Sequence, residues 1–404
     1  MNHRQRVLTA LRHQEPDRVP IDLGGTVDST IMAVAYKRLR KHLGLSAGST
    51  RVADVYQHTA LVEEDVRQAL GVDVLLVSDE PNEWRQGFLP DGSPAEFPAR
   101  FLPQLQDDGS QVVFDAAGNV VLKMPKNGHY FDPVYSPLAD ATSVRDIEKH
   151  LDAVESYDKP SHLDKDYEEL AKKAKVLHEN TDYLLVGFFG GHIFQSAQSL
   201  RGWEMFLMDL LVNQKFAEAL MDQLAEANIR RFERYAKTVG QYVHVVQFED
   251  DLGMQDRPLL RPSLYRKVVK PYHEKLFRFA KSRCDAYLLL HTDGAVSPFI
   301  PDFIEMGVDI LNPVQVSAAG MDTKELKKEF GRDITFWGGG CDSQSILPFG
   351  TPGEVANETK RRIDDLAPGG GFVFSPVHNV QTGVPPENVV AMFKTAREYG
   401  VYHS

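Results

Sequence analysis

The stretch AYLLLHTDG, residues 286–294, is apolar from Ala286 to Leu290 and then stops on His291, Thr292, Asp293 and Gly294. A short, unbroken apolar run with no polar alternation reads as a strand buried on both faces, as in a parallel sheet. The same pattern recurs in RVPIDLGG (18–25), VDVLLVSDE (72–80), YLLVGFFGG (183–191) and YVHVVQFEDD (242–251). It appears again in VDILNPVQ (308–315), ITFWGGGC (334–341) and FVFSPVHN (372–379). Eight such strands, separated by helical periodicity, predict an α/β chain folded as a (β/α)8 TIM barrel rather than an open sheet.

The connecting helices carry their own signals. Asn213 to Gly240 predicts one long helix with Leu220, Leu224, Ile229 and Phe232 as its apolar stripe. Pro262-Ser263 opens another, with Leu264, Val268, Val269 and Tyr272 at helical spacing, and Pro385-Pro386 opens the last. Between the second and third strands lies a long excursion. Its segment DDGSQVVFDAAGNVVLKM alternates and turns on Asp-Gly and Gly-Asn pairs, which predicts a β-hairpin. The expectation is one barrel domain over 1–404, with 81–180 as an insertion within it. That insertion either caps the mouth, bringing Tyr130 and Phe131 to a pocket, or only covers the barrel's flank.

Composition narrows the function. The chain has 404 residues and a formal net charge of -12, which argues against a general phosphate-backbone binder. Two cysteines, Cys284 and Cys341, do not make a disulfide framework and suit a reducing compartment. The opening MNHRQRVLTALRHQEPDRVP reads as an amphipathic helix with a proline stop, not a signal peptide. No apolar run approaches the roughly 18 residues of a membrane span. A cytoplasmic enzyme acting on a small molecule, without nucleic-acid or membrane partners, is the expectation.

In a barrel of this type the reacting groups project from the C-terminal ends of the strands. Polar residues stand at nearly every one: Asp22, Asp79, Glu249, Asp250, Asp251, His291, Asp293, Asn312, Gln315, Cys341, Asp342, His378 and Asn379. In an extended segment residues i and i+2 share a face, so His291 and Asp293 can converge on one zinc ion, with His378 as third ligand and Glu249 a further donor. The alternative is a hydrogen-bonded His–Asp pair without metal. In Glu249-Asp250-Asp251, crowded carboxylates furnish a general acid, or one faces the pocket while others cap a helix. Cys341 is either a reactive thiol or a buried structural one. The glycine triplets 338–340 and 369–371 fit no nucleotide-binding pattern.

These strand ends resemble the uroporphyrinogen decarboxylase superfamily over nearly the whole chain, apart from the hairpin insertion. VLLVSDE is similar to the decarboxylase strand that ends on a catalytic aspartate, which implies that role for Asp79. VGFFGGHIFQSAQSLRG resembles the third-strand segment, in which the family's substrate-contacting tyrosine has no clear counterpart here. VQFEDDLGMQ, ITFWGGGCDS and FSPVHNVQTGVPPENV resemble later strand motifs, and His378 falls on the decarboxylases' histidine. The loop DLGGTVDSTIM, however, lacks the arginines with which decarboxylases grip porphyrinogen carboxylates. In the superfamily's zinc methyltransferases the corresponding positions carry His-x-Cys-Gly and a further Cys. Here they read His291-x-Asp293-Gly294 and His378, a harder, less thiolate-activating donor set.

The resemblance implies a methyltransferase that moves a methyl group from a small methoxylated or methylated substrate to a corrinoid protein. His291, Asp293 and His378 would hold zinc and Glu249 or Asp251 would protonate the departing oxygen. Asp79, Asn312, Gln315, His192 and Tyr130 would bind or orient the substrate. No DxHxxG segment is present, so cobalamin would arrive on a partner protein. A homodimer is a further implication. The alternative is a decarboxylase or related metal-free lyase acting on a small carboxylated substrate.

Overall fold

The computed structural model describes residues 1–45, 50–78, 81, 83–115, 117–156 and 167–402. Seven of the expected strands form one parallel sheet: Val74–Val77, Leu184–Gly190, Val245–Glu249, Tyr287–His291, Ile310–Asn312, Thr335–Trp337 and Phe372–Val373, adjacent in that order. The eighth, around Ile21, is reduced to a single parallel bridge to Phe374. Its neighbours show why. Pro20 has no N–H, and the Ile21 N–H goes to the Asp73 carboxylate at 2.9 Å instead of to a backbone carbonyl. The segment still closes the barrel, because Asp22 N–H donates to Phe374 O and Asp73 N–H donates to Ile21 O.

Two apolar layers follow from strands buried on both faces. Val74, Val186, Val245, Leu289, Ile310, Trp337 and Val373 fill the barrel interior, where the helix His3–Leu11 adds Val7 and Leu11 as a plug from below. Asn2 caps that helix, in a capping box with Gln5. A larger core lies between the sheet and the outer helices, with Leu220, Leu224 and Phe232 of Gln214–Thr238 among its members. The helix expected from Pro262 breaks into Pro262–Val268 and Lys270–Arg283, since Pro271 cannot donate in a continuous helix. The last helix, Pro386–Tyr399, buries Val389, Met392 and Phe393 as expected.

Between the second and third barrel strands lie a hairpin, Trp84–Phe88 with Pro94–Pro98, and an antiparallel sheet from Gln104 to Pro133. The Gln111–Phe114 and Val120–Met124 pair is the hairpin that the Asp-Gly and Gly-Asn turns announce. Phe131 is buried against Phe101 and His58. Tyr130 hydrogen-bonds Gln381, in the loop after the last barrel strand. The insertion therefore touches the mouth as well as the flank. No helix among the described residues is long and apolar enough to cross a membrane.

Candidate active site

Parallel register sets the centre of the site. Glu249 pairs with His291 and His291 with Asn312, so the last residues of three adjacent strands form one row across the barrel mouth. His291 is almost wholly buried, and its Nδ1 lies 2.7 Å from Asn312 Oδ1. The Asn312 amide nitrogen donates to Trp337 O at 3.0 Å, which fixes the oxygen toward the ring. An amide oxygen only accepts, so Nδ1 carries a proton in either charge state, and Nε2 is the nitrogen left to exchange its proton for a cation. Nε2 faces Asp293 Oδ2 at 4.0 Å.

His378 joins from the loop after the final strand. Its Nε2 stands 3.7 Å from Asp28 Oδ1 and 3.8 Å from Asp293 Oδ2. Asp28 also lies 3.4 Å from His291 Nδ1. The loop carrying Asp28 is built from within. Asp22 accepts from Gly25 N–H, Ser29 Oγ and Trp337 Nε1 at 2.6–2.8 Å. Gly25 packs so tightly that a Cβ there would meet Val74 at 2.4 Å. Thr30 N–H donates to Asn379 Oδ1 at 2.8 Å, which clasps this loop to the one bearing His378.

The carboxylates crowd one another. Gln247 Nε2 donates to both Asp28 Oδ2 and Glu249 Oε1, at 2.8 and 2.6 Å, and so bridges the two carboxylates. Burial, then the charge of Glu249, pushes Asp28 up to about 7. Burial, then Asp293, raises Asp251. Asp54, half-buried and within the field of Asp28, is lifted to about 6, mainly by desolvation. Burial opposes charge on His291, yet Asp28, Asp293, Asp251 and Glu249 outweigh it and hold the ring's pKa at about 10. Among the described residues, the only basic side chains these carboxylates meet within 4 Å are histidines: His192, His291 and His378.

The expected residues thus divide. Glu249, Asp251, His291, Asp293 and His378 come together. His192 Nε2 contacts Glu249 Oε2 at 3.0 Å. Asn312 spends its amide on His291 and Trp337. Gln315 accepts from Gly294 N–H at 2.8 Å and donates to Gln255, bracing the loop that carries Asp293. Tyr130 stands at the rim through Gln381. Asp79 lies outside the described residues. Asp250 takes the capping role: it accepts from the N–H groups of Ile193, Phe194 and Gln195 and pairs with His273 at 2.8 Å. It caps the helix after the preceding strand, not its own. Cys341 is wholly buried, and burial raises its thiol pKa far above the ordinary range, as for a structural cysteine. Asp28, Asp54 and Gln247 go unmarked in the sequence, because two lie in loop or edge segments and the third sits inside an apolar run.

The donor atoms suit a cation. Asp251, His291 and Asp293 present ligand atoms within 4.8 Å of one another, and so do Asp28, His291 and His378. His291 is common to both groups, so the expected trio is divided: Asp293 belongs to one group and His378 to the other.

Residues 139–399 match the sequence model of the family described as "Uroporphyrinogen decarboxylase (URO-D)". The uroporphyrinogen decarboxylase of Synechocystis sp. is 26% identical over 223 residues, 53% of this chain and 58% of the relative. That of Microcystis aeruginosa is 25% identical over 53% of this chain and 59% of its own length. The match thus spans a little under three fifths of these relatives. A methyltransferase from Methanosarcina mazei superposes with a TM-score of 0.58 at 15% identity, covering 99% of each chain, and shares the fold.

Proposed function

The chain belongs to the uroporphyrinogen decarboxylase family, and from that premise we propose that it is a metal-assisted methyltransferase rather than a porphyrinogen decarboxylase. It takes a methyl group from a small methoxylated or methylated substrate and passes it to a corrinoid carried on a partner protein. One observation carries this reading: Asp28, Glu249, Asp251 and Asp293 surround His291 and His378 with no arginine or lysine paired to them among the described residues. Such a mouth repels a polycarboxylated tetrapyrrole and attracts a cation.

His291, Asp293 and His378 would hold zinc. Bound there, zinc would supply Lewis acidity toward the oxygen that bears the methyl group. The rest is done by the chain. Asn312 fixes the tautomer that offers Nε2. Glu249, bridged to Asp28 through Gln247 Nε2 and in contact with His192 on its other oxygen, delivers a proton to the leaving oxygen. The C–O bond breaks, the electron pair stays on oxygen, and the reduced cobalt of the acceptor supplies the pair that takes the methyl group. Tyr130 and Gln315 flank the entrance.

A second reading, metal-free decarboxylation or lyase chemistry, draws support from Asp28, whose carboxyl, pushed up to about 7 by burial and then by Glu249, can carry a proton with no metal needed. Incubation of the protein with methoxylated compounds and cob(I)alamin tests the two. Methylcobalamin formation that stops when a strong chelator is added supports methyl transfer. Carbon dioxide release that persists in chelator, without methylcobalamin, overturns it in favour of the second reading.

A further inference from the structure

We propose that Asp251 is a ligand of the metal site, bound alongside His291 Nε2 and Asp293, and that Asp28 is not. The proposal rests on the metal-assisted reading above and assigns a residue that the strand motif does not show. Two donor groups compete for His291. The group containing Asp28 approaches the ring from the Nδ1 side, at 3.4 Å. Nδ1 is already committed, because Asn312 Oδ1 lies 2.7 Å away and the Asn312 amide nitrogen is anchored on Trp337 O. A metal there would displace a buried hydrogen bond and strand the amide oxygen.

Nε2 is the available atom. It makes no hydrogen bond among the described residues, belongs to a ring only 5% exposed, and faces Asp293 at 4.0 Å. Asp251 completes that side. It is held as a ligand should be: Oδ1 accepts from Asp293 N–H at 2.9 Å and Oδ2 from Gln195 Nε2 at 2.8 Å. Gln195 in turn sits in the first turn of the helix that Asp250 caps, so the strand end and the helix start are fixed together. Zinc bonds of about 2.0–2.2 Å place ligand atoms about 3.3–3.6 Å apart, a small contraction from a group within 4.8 Å. His378, 3.8 Å from Asp293, is within reach as the fourth donor. Asp28 then serves as an outer carboxylate on the Nδ1 side, positioning His291.

The test is zinc affinity, read by competition with a chromogenic chelator, for the wild-type chain, Asp251→Asn and Asp28→Asn. Near-UV circular dichroism shows that each variant keeps its fold. Expected are a loss of more than about 100-fold for Asp251→Asn and a smaller one, of about 10- to 100-fold, for Asp28→Asn, as for a ligand and an outer partner. Wild-type affinity in Asp251→Asn overturns the assignment. So does an equal or larger loss in Asp28→Asn, which would place the ion on the Nδ1 side. A wild-type chain that binds no zinc overturns the metal-assisted reading itself. If Asp251→Asn unfolds, Gln195→Ala, which frees Asp251 Oδ2, is expected to weaken zinc about 10-fold, and an unchanged affinity there counts against the assignment.

Discussion

At the scale of single residues, the site depends on who holds which proton. Asn312 shows that a polar strand end can serve other parts of the barrel: its amide oxygen holds the Nδ1 proton of His291 and its nitrogen donates to Trp337 O. Glu249→Gln keeps the shape of the side chain but removes the proton donor. We expect kcat to fall by about 10²- to 10⁴-fold with KM and zinc content little changed, checked by steady-state kinetics and metal analysis. A histidine outside the site gives a pH prediction. His58 is buried against Phe97 and Phe131, and desolvation lowers its pKa from 6.5 to about 4. Unfolded, it binds a proton near pH 6.5, while the folded chain resists protonation down to about pH 4. Its contribution is therefore complete above pH 6.5 and is lost as pH falls through that window, by about 3 kcal/mol at the acid end. Urea denaturation at pH 7 and at about pH 4 should show a smaller acid loss for His58→Asn than for the wild-type chain. Of the site's residues, His291, Asp293, Glu249, Asp251 and His378 are legible because they end apolar runs. Asp28 is not: it sits in mid-loop, and only the folding of that loop onto Asn379 carries it to the histidines.

Elements transmit that order. The run Glu249-Asp250-Asp251 places three carboxylates at one strand end, and local pattern alone does not say which goes where. The structure sends Asp250 to the neighbouring helix, where three N–H groups and His273 meet a fully buried carboxylate. That choice depends on the packing of Phe194–Arg201 beside the strand, a contact between distant parts of the chain. Asp250→Ala strands those donors together with a buried histidine. A loss of about 3–5 kcal/mol in unfolding free energy is expected, measured by chemical denaturation. The same variant should loosen Gln195 and so weaken zinc binding indirectly. Strand and helix types were readable from periodicity, whereas the break before Lys270 and the reduced first strand turn on Pro271, Pro20 and the side chain of Asp73.

Over the whole molecule, closure of the barrel and construction of the site are one problem. Asp73 is completely buried at the lower end, where it receives Arg6, Arg18, His3 and the Ile21 N–H. It ties the N-terminal plug and the first strand to the sheet, and the loop bearing Asp28 issues from that strand. Despite its burial, these partners lower its pKa below the usual aspartate value. Its stabilisation is therefore present above about pH 4, where the unfolded carboxylate is already ionised, and is lost as acid protonates the folded one. Asp73→Ala should lower the calorimetric melting temperature and cost about 3–5 kcal/mol at neutral pH. Unchanged melting would show that the plug is dispensable for closure. The eightfold repeat of apolar runs made the barrel legible, and family membership follows from a match over residues 139–399. Long-range clasps such as Asp73 with Ile21 join residues far apart in the chain and leave no local signature.

The central claim is that the histidines and carboxylates of the mouth hold a metal ion. Its most direct test is metal content by plasma mass spectrometry on protein purified without a metal-affinity tag, beside His291→Ala. The account predicts about one zinc per chain, lost in the variant. No zinc in the wild-type chain after incubation with zinc and gel filtration, or equal zinc in both proteins, would contradict it.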